Sequence, residues 1–256
     1  MMRAKRRLEK WLAIAGLLGG WLISDAGAAQ LAVLSAGAIE PGVRAAALAF
    51  EKETGHSVRL TFNTAPQIRK RIADNETWDV VLAPPAMIDE LAQARKADGE
   101  RVGLGRVGLG VVVRSDAPVP DISSVDAFQS SVTQAESLVF NRASTGLYLE
   151  NLLRKQGIYE AVQAKTTRYP DGAAVMEHVL HGKGREIGFG AITEILLYRD
   201  KGLKLVGPLP ADIQNYTSYS ATAMVGATNT ELVLLFVRYL GSPAGKSYFR
   251  DAGIEP

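Results

Sequence analysis

The chain has 256 residues, which is enough to bury a large core in one domain or in two smaller lobes. It contains no cysteine, and this excludes disulfide bonds, thiolate metal ligands and a cysteine nucleophile. The formal net charge is +2, but five of the 29 Lys and Arg residues lie within the first ten positions.

The first 28 residues have the layout of a secretory signal peptide. A basic segment precedes 13 apolar residues at 11–23, and the small residues Ala26-Gly27-Ala28 follow as a cleavage site. This apolar stretch is shorter than the about 20 residues that a membrane-spanning helix needs. An uncleaved N-terminal anchor stays the alternative. Removal of residues 1–28 leaves 24 basic against 25 acidic residues. We therefore expect an exported, periplasmic protein whose nearly neutral surface does not favour nucleic acid.

Apolar runs alternate with helical patterns along the rest of the chain, which predicts an α/β fold. A proline-containing connector at 115–122 separates two such runs, and a long strand at 216–225 is predicted to return to the first. The sequence therefore predicts two αβ lobes with mainly parallel central sheets and a cleft between them. Lobe 1 is predicted to comprise residues 29–114 and 217–256, and lobe 2 residues 115–216.

Four polar corners lie between a predicted strand and a predicted helix start: Ser35-Ala36, Asn63-Thr64, Ser144-Thr145 and Asp171-Gly172-Ala173. Helix starts carry unpaired N–H groups and about half a positive charge, so they attract anions. Ligands of such sheets bind at the carboxyl ends of the strands. This pattern predicts a site for a small anion, and the alternative is that these are ordinary turns of an α/β protein.

Charged residues near the corners are the next candidates. Arg69 and Arg142 would bind ligand carboxylates, unless they are solvated surface residues. Glu194, Asp171 and Glu40 are the candidates for a proton-transfer base, unless they are helix caps or surface carboxylates. No metal site or cofactor is predicted, because the three histidines lack ligand spacing with a third ligand.

Five ordered segments cover nearly all of the chain after residue 28: 34–58, 61–84, 140–158, 172–190 and 236–256. Together they resemble the periplasmic molybdate-binding proteins and their relatives among the type II solute-binding proteins. The resemblance implies two αβ lobes that close on a ligand like a hinged trap. It also implies a membrane transporter that receives the ligand.

The resemblance further implies which residues bind the ligand. Ser35 matches a serine ligand, and Asn63-Thr64 stands in place of a serine-rich corner. Backbone amides are implied near Ser144-Thr145 and near Ala173-Ala174, whereas Ala191 replaces the tyrosine ligand of the molybdate binders. The segment 206–217 is similar to a divergent branch that resembles aconitate isomerase, a periplasmic enzyme of the same fold that acts on a tricarboxylate.

The sequence favours binding over catalysis. The leading hypothesis is a periplasmic, monomeric solute-binding protein that captures a small anion, either an oxyanion or an organic acid, for the permease of an ABC transporter. The alternative is an isomerase that shifts a proton on a small tricarboxylic acid. A third possibility is a binding protein that signals through a sensor partner.

Overall fold

The computed structural model describes residues 28–97 and 100–256. The described chain contains nine strands: β1 (Gln30–Ala36), β2 (Ser57–Asn63), β3 (Val80–Ala83), β4 (Val102–Arg114), β5 (Ser137–Asn141), β6 (Thr166–Tyr169), β7 (Glu186–Ala191), β8 (Leu203–Pro208) and β9 (Tyr216–Ala223). Its α-helices are α1 (Glu40–Thr54), α2 (Ala65–Ala73), α3 (Pro85–Gln93), α4 (Val125–Gln134), α5 (Ser144–Lys155), α6 (Tyr159–Gln163), α7 (Gly172–His181), α8 (Ile192–Leu196), α9 (Thr230–Gly241) and α10 (Pro243–Asp251). Short 3₁₀ turns lie at Gly37–Ile39, Arg199–Lys201 and Ala211–Ile213.

The predicted signal peptide at 1–28 lies outside the described residues, apart from Ala28. Within 28–97 and 100–256, none of the helices combines the length and the apolar character that crossing a membrane requires.

Parallel strands form the inner part of each lobe. β1 pairs in parallel with β2 and β3, and β5 pairs in parallel with β6 and β7. β3 is buried along its whole length, as expected of a strand in a parallel sheet whose faces are both covered. The predicted α/β fold with two lobes is confirmed.

Two antiparallel strands connect the lobes. β4 pairs with β9 from Val102 to Gly108, and with β7 and β8 from Leu109 to Arg114. β9 also pairs with β3, so all pairings of β4 and β9 are antiparallel, while those within the inner sheets are parallel. The change of partners within β4 precedes the connector at 115–122. The lobe limits drawn from the sequence stay a prediction.

Each lobe has its own apolar core. Phe50 and Phe236 belong to the core of the first lobe, and their rings meet edge to face with centroids 5.0 Å apart. Phe128 and Phe189 form the corresponding pair in the second lobe, with centroids 6.2 Å apart. Such aromatic pairs add about 0.5–1.5 kcal/mol beyond the burial of their area. Because each core is complete on its side of the cleft, the space between the lobes is available for a ligand.

Candidate functional site

A small chamber lies deep between the lobes, where several strands end. Its cavity volume is about 30 Å³. Its lining comes from both lobes and consists of Ala36, Gly37, Ala38, Asn63, Thr64, Ala65, Pro84, Asn141, Ala143, Ser144, Thr145, Ala191, Glu194 and Tyr219. We call this space the inner chamber.

A wider cavity of about 410 Å³ adjoins the inner chamber and shares four lining residues with it. Its lining consists of Gly37, Glu40, Phe62, Asn63, Thr64, Gln67, Asp171, Gly172, Ala173, Glu194, Leu197, Tyr198 and Lys201. We call this space the outer chamber. Together the two chambers form a common cavity. The second, third and fourth predicted corners line it, and so does one residue of the first corner.

At the first corner, the backbone after β1 faces the inner chamber, but the predicted serine does not. Ala36, Gly37 and Ala38 line the chamber. Ser35 is fully buried, its Oγ donates to the carbonyl oxygen of Ala36 at 3.1 Å, and it lines neither chamber. The 3₁₀ turn that follows begins with N–H groups that have no partner inside the turn, so this corner presents backbone donors.

At the second corner, Asn63 and Thr64 line both chambers, as the resemblance implies for ligand residues. Gln67, in the first turn of α2, is their local partner. The backbone N–H and the hydroxyl of Thr64 donate to Gln67 Oε1 at 2.8 and 3.0 Å. Asn63 Nδ2 donates to the same oxygen at 3.4 Å. These bonds occupy the two donors of Thr64 and one N–H of the Asn63 amide.

The third corner, between β5 and α5, is built around Asn141. Its buried Oδ1 accepts from the N–H groups of Ala143 and Gly146 at 3.0 and 3.1 Å. Its Nδ2 lies 3.0 Å from the hydroxyl of Thr145. The first N–H groups of a helix have no partner inside it, so the amides of Ser144 and Thr145 remain to face the chamber that both residues line. That these amides bind a ligand stays a prediction.

At the fourth corner, Asp171 caps helix α7. Its Oδ1 accepts from the N–H of Ala174 at 2.9 Å, and this bond occupies one of the two amides that the resemblance implies as donors. Ala173 lines the outer chamber, whereas Ala174 lines neither. Asp171 thus has the ordinary capping function that was the alternative to its being a base.

Glu194 is the carboxylate at the junction, since it lines both chambers. The carboxyl group lies against Gly37 of lobe 1 and Gly172 of lobe 2, and a Cβ at Gly172 would overlap it. Burial raises the pKa of Glu194 to about 7, the N–H of Ala191 opposes this shift, and the charges of Asp171 and Glu40 reinforce it. Glu194 is therefore the predicted acid whose pKa suits proton transfer near neutral pH.

The other predicted charged residues lie away from the inner chamber. Arg69 is exposed on α2 and pairs with Glu90 at 2.9 Å, and Arg142 is exposed after β5, with neither lining a chamber. Glu40 lines the outer chamber and pairs with Arg44 at 2.6 Å. Any anion in the inner chamber would be held by neutral dipoles, as helix starts allow.

Two residues that the corner pattern does not contain complete the cleft. Tyr219 of β9 is buried and lines the inner chamber, and burial raises the pKa of its phenol. It adds an aromatic hydroxyl to the chamber that Ala191 also lines. Lys201 alone carries a positive charge among the described residues that line the two chambers, and its Nζ lies 4.2 Å from the centre of the Tyr198 ring. Tyr219 reaches the chamber because β9 is antiparallel to its neighbours, and only the strand pairing in the structure shows this.

A hydrogen bond joins the lobes directly beside the inner chamber. The hydroxyl of Thr193, in α8, donates to the carbonyl oxygen of Ala38 in the first 3₁₀ turn. Both residues are buried, and Ala38 lines the inner chamber. Contact between the lobes therefore includes the same backbone turn that presents donors to the cavity.

The chain has the two-lobed fold of the type II periplasmic binding proteins. The chain belongs to the family of bacterial extracellular solute-binding proteins, whose family model matches residues 31–255.

Comparison with individual proteins agrees with the resemblance expected from the sequence. The chain is 32% identical over 235 residues to the aconitate isomerase of a Pseudomonas species, covering 88% of this chain and 87% of that protein. Among solved structures it is similar to the periplasmic molybdate-binding protein of Azotobacter vinelandii, with a TM-score of 0.74 and 17% identity over 88% of this chain and 99% of that chain. PEB3 with bound L-phospholactate has a TM-score of 0.69 and 12% identity over 90% of this chain and 100% of that chain. PEB3 comes from Campylobacter jejuni. At these identities the two structures show the fold.

Proposed function

We propose that the protein is an exported solute-binding protein that holds a small organic anion between its lobes. The observation that supports this most is the inner chamber, on which backbone donors converge from the first corner in one lobe and the third corner in the other. Neutral donors of this kind bind oxyanions and carboxylates alike. The adjoining outer chamber favours a ligand longer than a tetrahedral oxyanion, because its polar lining continues to Gln67, Tyr198 and Lys201.

Calorimetry and thermal denaturation against molybdate, tungstate, sulfate, citrate and aconitate test this proposal. We expect heat and a raised melting temperature with a polycarboxylate. The variant Ser144→Tyr, which fills the inner chamber, should abolish both signals, whereas Ser130→Tyr on exposed α4 should change neither. If no anion gives heat or a shift in melting temperature, the proposal is wrong.

The proposed partner is the membrane permease of an ABC transporter, which would receive the ligand from a monomeric, periplasmic protein. The family's extracellular solute-binding character supports this route. Cell fractionation, light scattering and a pull-down from detergent-solubilised membranes test the three parts separately. Recovery of a sensor protein instead of a permease would favour signalling over transport.

A second candidate function is an isomerase of a small tricarboxylic acid. It is supported by Glu194, which lies at the junction of the chambers and has a pKa of about 7. The name of the Pseudomonas relative supports it as well. Glu194 would remove a proton from the methylene carbon of the allylic system, the double bond would shift, and a proton would return at the other end. An NMR time course with cis-aconitate tests this activity. An unchanged spectrum over hours would exclude it, and Glu194→Gln should be inactive while still binding the acid.

A further inference from the structure

The side-chain carbonyl oxygen of Asn63 is a buried acceptor without a donor. Within residues 28–97 and 100–256, no group donates a hydrogen bond to Asn63 Oδ1. Asn63 itself lines both chambers of the cleft. A buried carbonyl oxygen is nearly always paired in a folded protein, because leaving it unpaired forfeits its bonds to water. An unpaired acceptor on a ligand cavity is a position at which a ligand can supply the donor.

The orientation of the Asn63 amide follows from its neighbour. Gln67 Oε1 is fixed as an oxygen because it accepts from the backbone N–H of Thr64 at 2.8 Å. The Asn63 group that lies 3.4 Å from this oxygen must then be the NH₂ group, since an oxygen there would repel it. The carbonyl oxygen of Asn63 is consequently the atom that is left without a partner.

This arrangement gives the second corner a different chemistry from the others. The NH₂ group of Asn63 and the hydroxyl and N–H of Thr64 all donate to Gln67. One N–H of the Asn63 amide remains as a donor, and the corner also presents Asn63 Oδ1 as an acceptor without a partner among the described residues. The first and third corners present backbone donors. A ligand that satisfies all three carries an anionic group and, beside it, a hydrogen-bond donor.

We propose that the ligand is a hydroxycarboxylate, whose carboxylate binds the helix-start amides and whose hydroxyl donates to Asn63 Oδ1. This inference rests on the proposed function and names its ligand class. A fully ionised oxyanion has no donor for Asn63, and neither has an ionised unsaturated tricarboxylate such as aconitate.

Matched pairs of acids that differ by one hydroxyl test the inference on the unmodified protein. Malate is compared with succinate, and citrate with tricarballylate, by calorimetry at neutral pH. We expect the hydroxy acid of at least one pair to bind about tenfold more tightly than its deoxy partner, as a hydrogen bond to a buried acceptor implies. Equal or tighter binding of both deoxy acids would overturn the hydroxyl inference and leave the proposed function intact. Binding of no acid at all would contradict the proposed function itself.

The variant Asn63→Leu tests whether Asn63 causes the preference for the hydroxy acid. It keeps the approximate size of the side chain and removes the acceptor, so the ratio of affinities within the discriminating pair should fall to about one. Asn151→Leu, on the exposed face of α5, is the control and should preserve the ratio. A ratio that survives in folded Asn63→Leu would show that another group recognises the hydroxyl, against the inference.

Discussion

Glu194 is a half-buried carboxyl group at the junction of the two chambers. Its pKa is raised from the ordinary 4.5 to about 7, first by burial and then by the neighbouring charges of Asp171 and Glu40. Between these two pH values the native state holds a proton that the unfolded chain releases. The linkage relation then requires the free energy of unfolding to fall as the pH rises through this window.

The variant Glu194→Gln should remove this pH dependence. Gln keeps an oxygen for the N–H of Ala191 but cannot ionise. Relative to the variant, the wild-type protein should lose about 1 to 3 kcal/mol of stability between pH 4.5 and pH 7, and little more above it. Urea unfolding at a series of pH values measures the difference. Parallel stability curves for the two proteins would show that Glu194 has an ordinary pKa.

Residue-level predictions from the sequence differ in outcome because local hydrogen bonds decide them. The hydroxyl of Ser35 is directed to its own backbone neighbour, and the N–H of Ala174 is bound by Asp171. The partner of Ser35 is not evident from residue type, whereas helix capping was the stated alternative for Asp171. Glu194 could be named from its place near a corner, but its raised pKa requires the other lobe to cover it.

The β5–α5 corner shows how one strand end and one helix start are fixed as a unit. Asn141 terminates β5 and binds the N–H groups of Ala143 and Gly146. A Cβ at Gly146 would overlap the backbone of Asn141, so only glycine lets the helix approach this closely. The positions of the Ser144 and Thr145 amides therefore depend on Asn141.

Asn141→Ala should destabilise the protein by about 1 to 3 kcal/mol, because it leaves buried N–H groups without an acceptor. It should also weaken ligand binding as the corner relaxes. Asn141→Asp keeps the acceptor, so it should lose less stability, but its negative charge beside the chamber should weaken anion binding further. Urea unfolding and calorimetry measure the two effects, and Asn151→Ala on exposed α5 is the control. Equal effects of Asn141→Ala and Asn151→Ala would contradict the assigned role.

At the level of elements, the alternation of apolar runs and polar corners was sufficient to predict most of the architecture. The inner strand β3 is apolar throughout, and the helices α2 and α7 begin after polar residues. This alternation does not specify which strands pair with each other. The antiparallel β9 brings Tyr219 into the inner chamber, and no local pattern around Tyr219 indicates this.

The whole molecule is arranged so that one strand connects two separate cores. β4 changes partners between Gly108 and Leu109, and the main apolar clusters lie on either side of this point, with Ala191 of β7 also packing into the first. This arrangement leaves the relative position of the lobes to contacts across the cleft and to the ligand. From the sequence, the boundary is predicted at the proline-containing connector 115–122, whereas the change of partners lies inside a continuous strand.

The hydrogen bond from Thr193 to Ala38 is the contact that couples lobe position to the binding chamber. Thr193→Val keeps the side-chain shape, removes the donor and leaves the Ala38 carbonyl unpaired only when the lobes are together. The closed arrangement should therefore lose about 0.5–1.5 kcal/mol, and ligand affinity should fall about two- to tenfold by the corresponding shift in population. Calorimetry gives the affinity, and small-angle scattering without ligand should show a larger radius of gyration. Thr133→Val, which removes an exposed bond within α4, should change neither quantity. If Thr193→Val also leaves both unchanged, the lobes are positioned by other contacts, and the chamber does not depend on this bond.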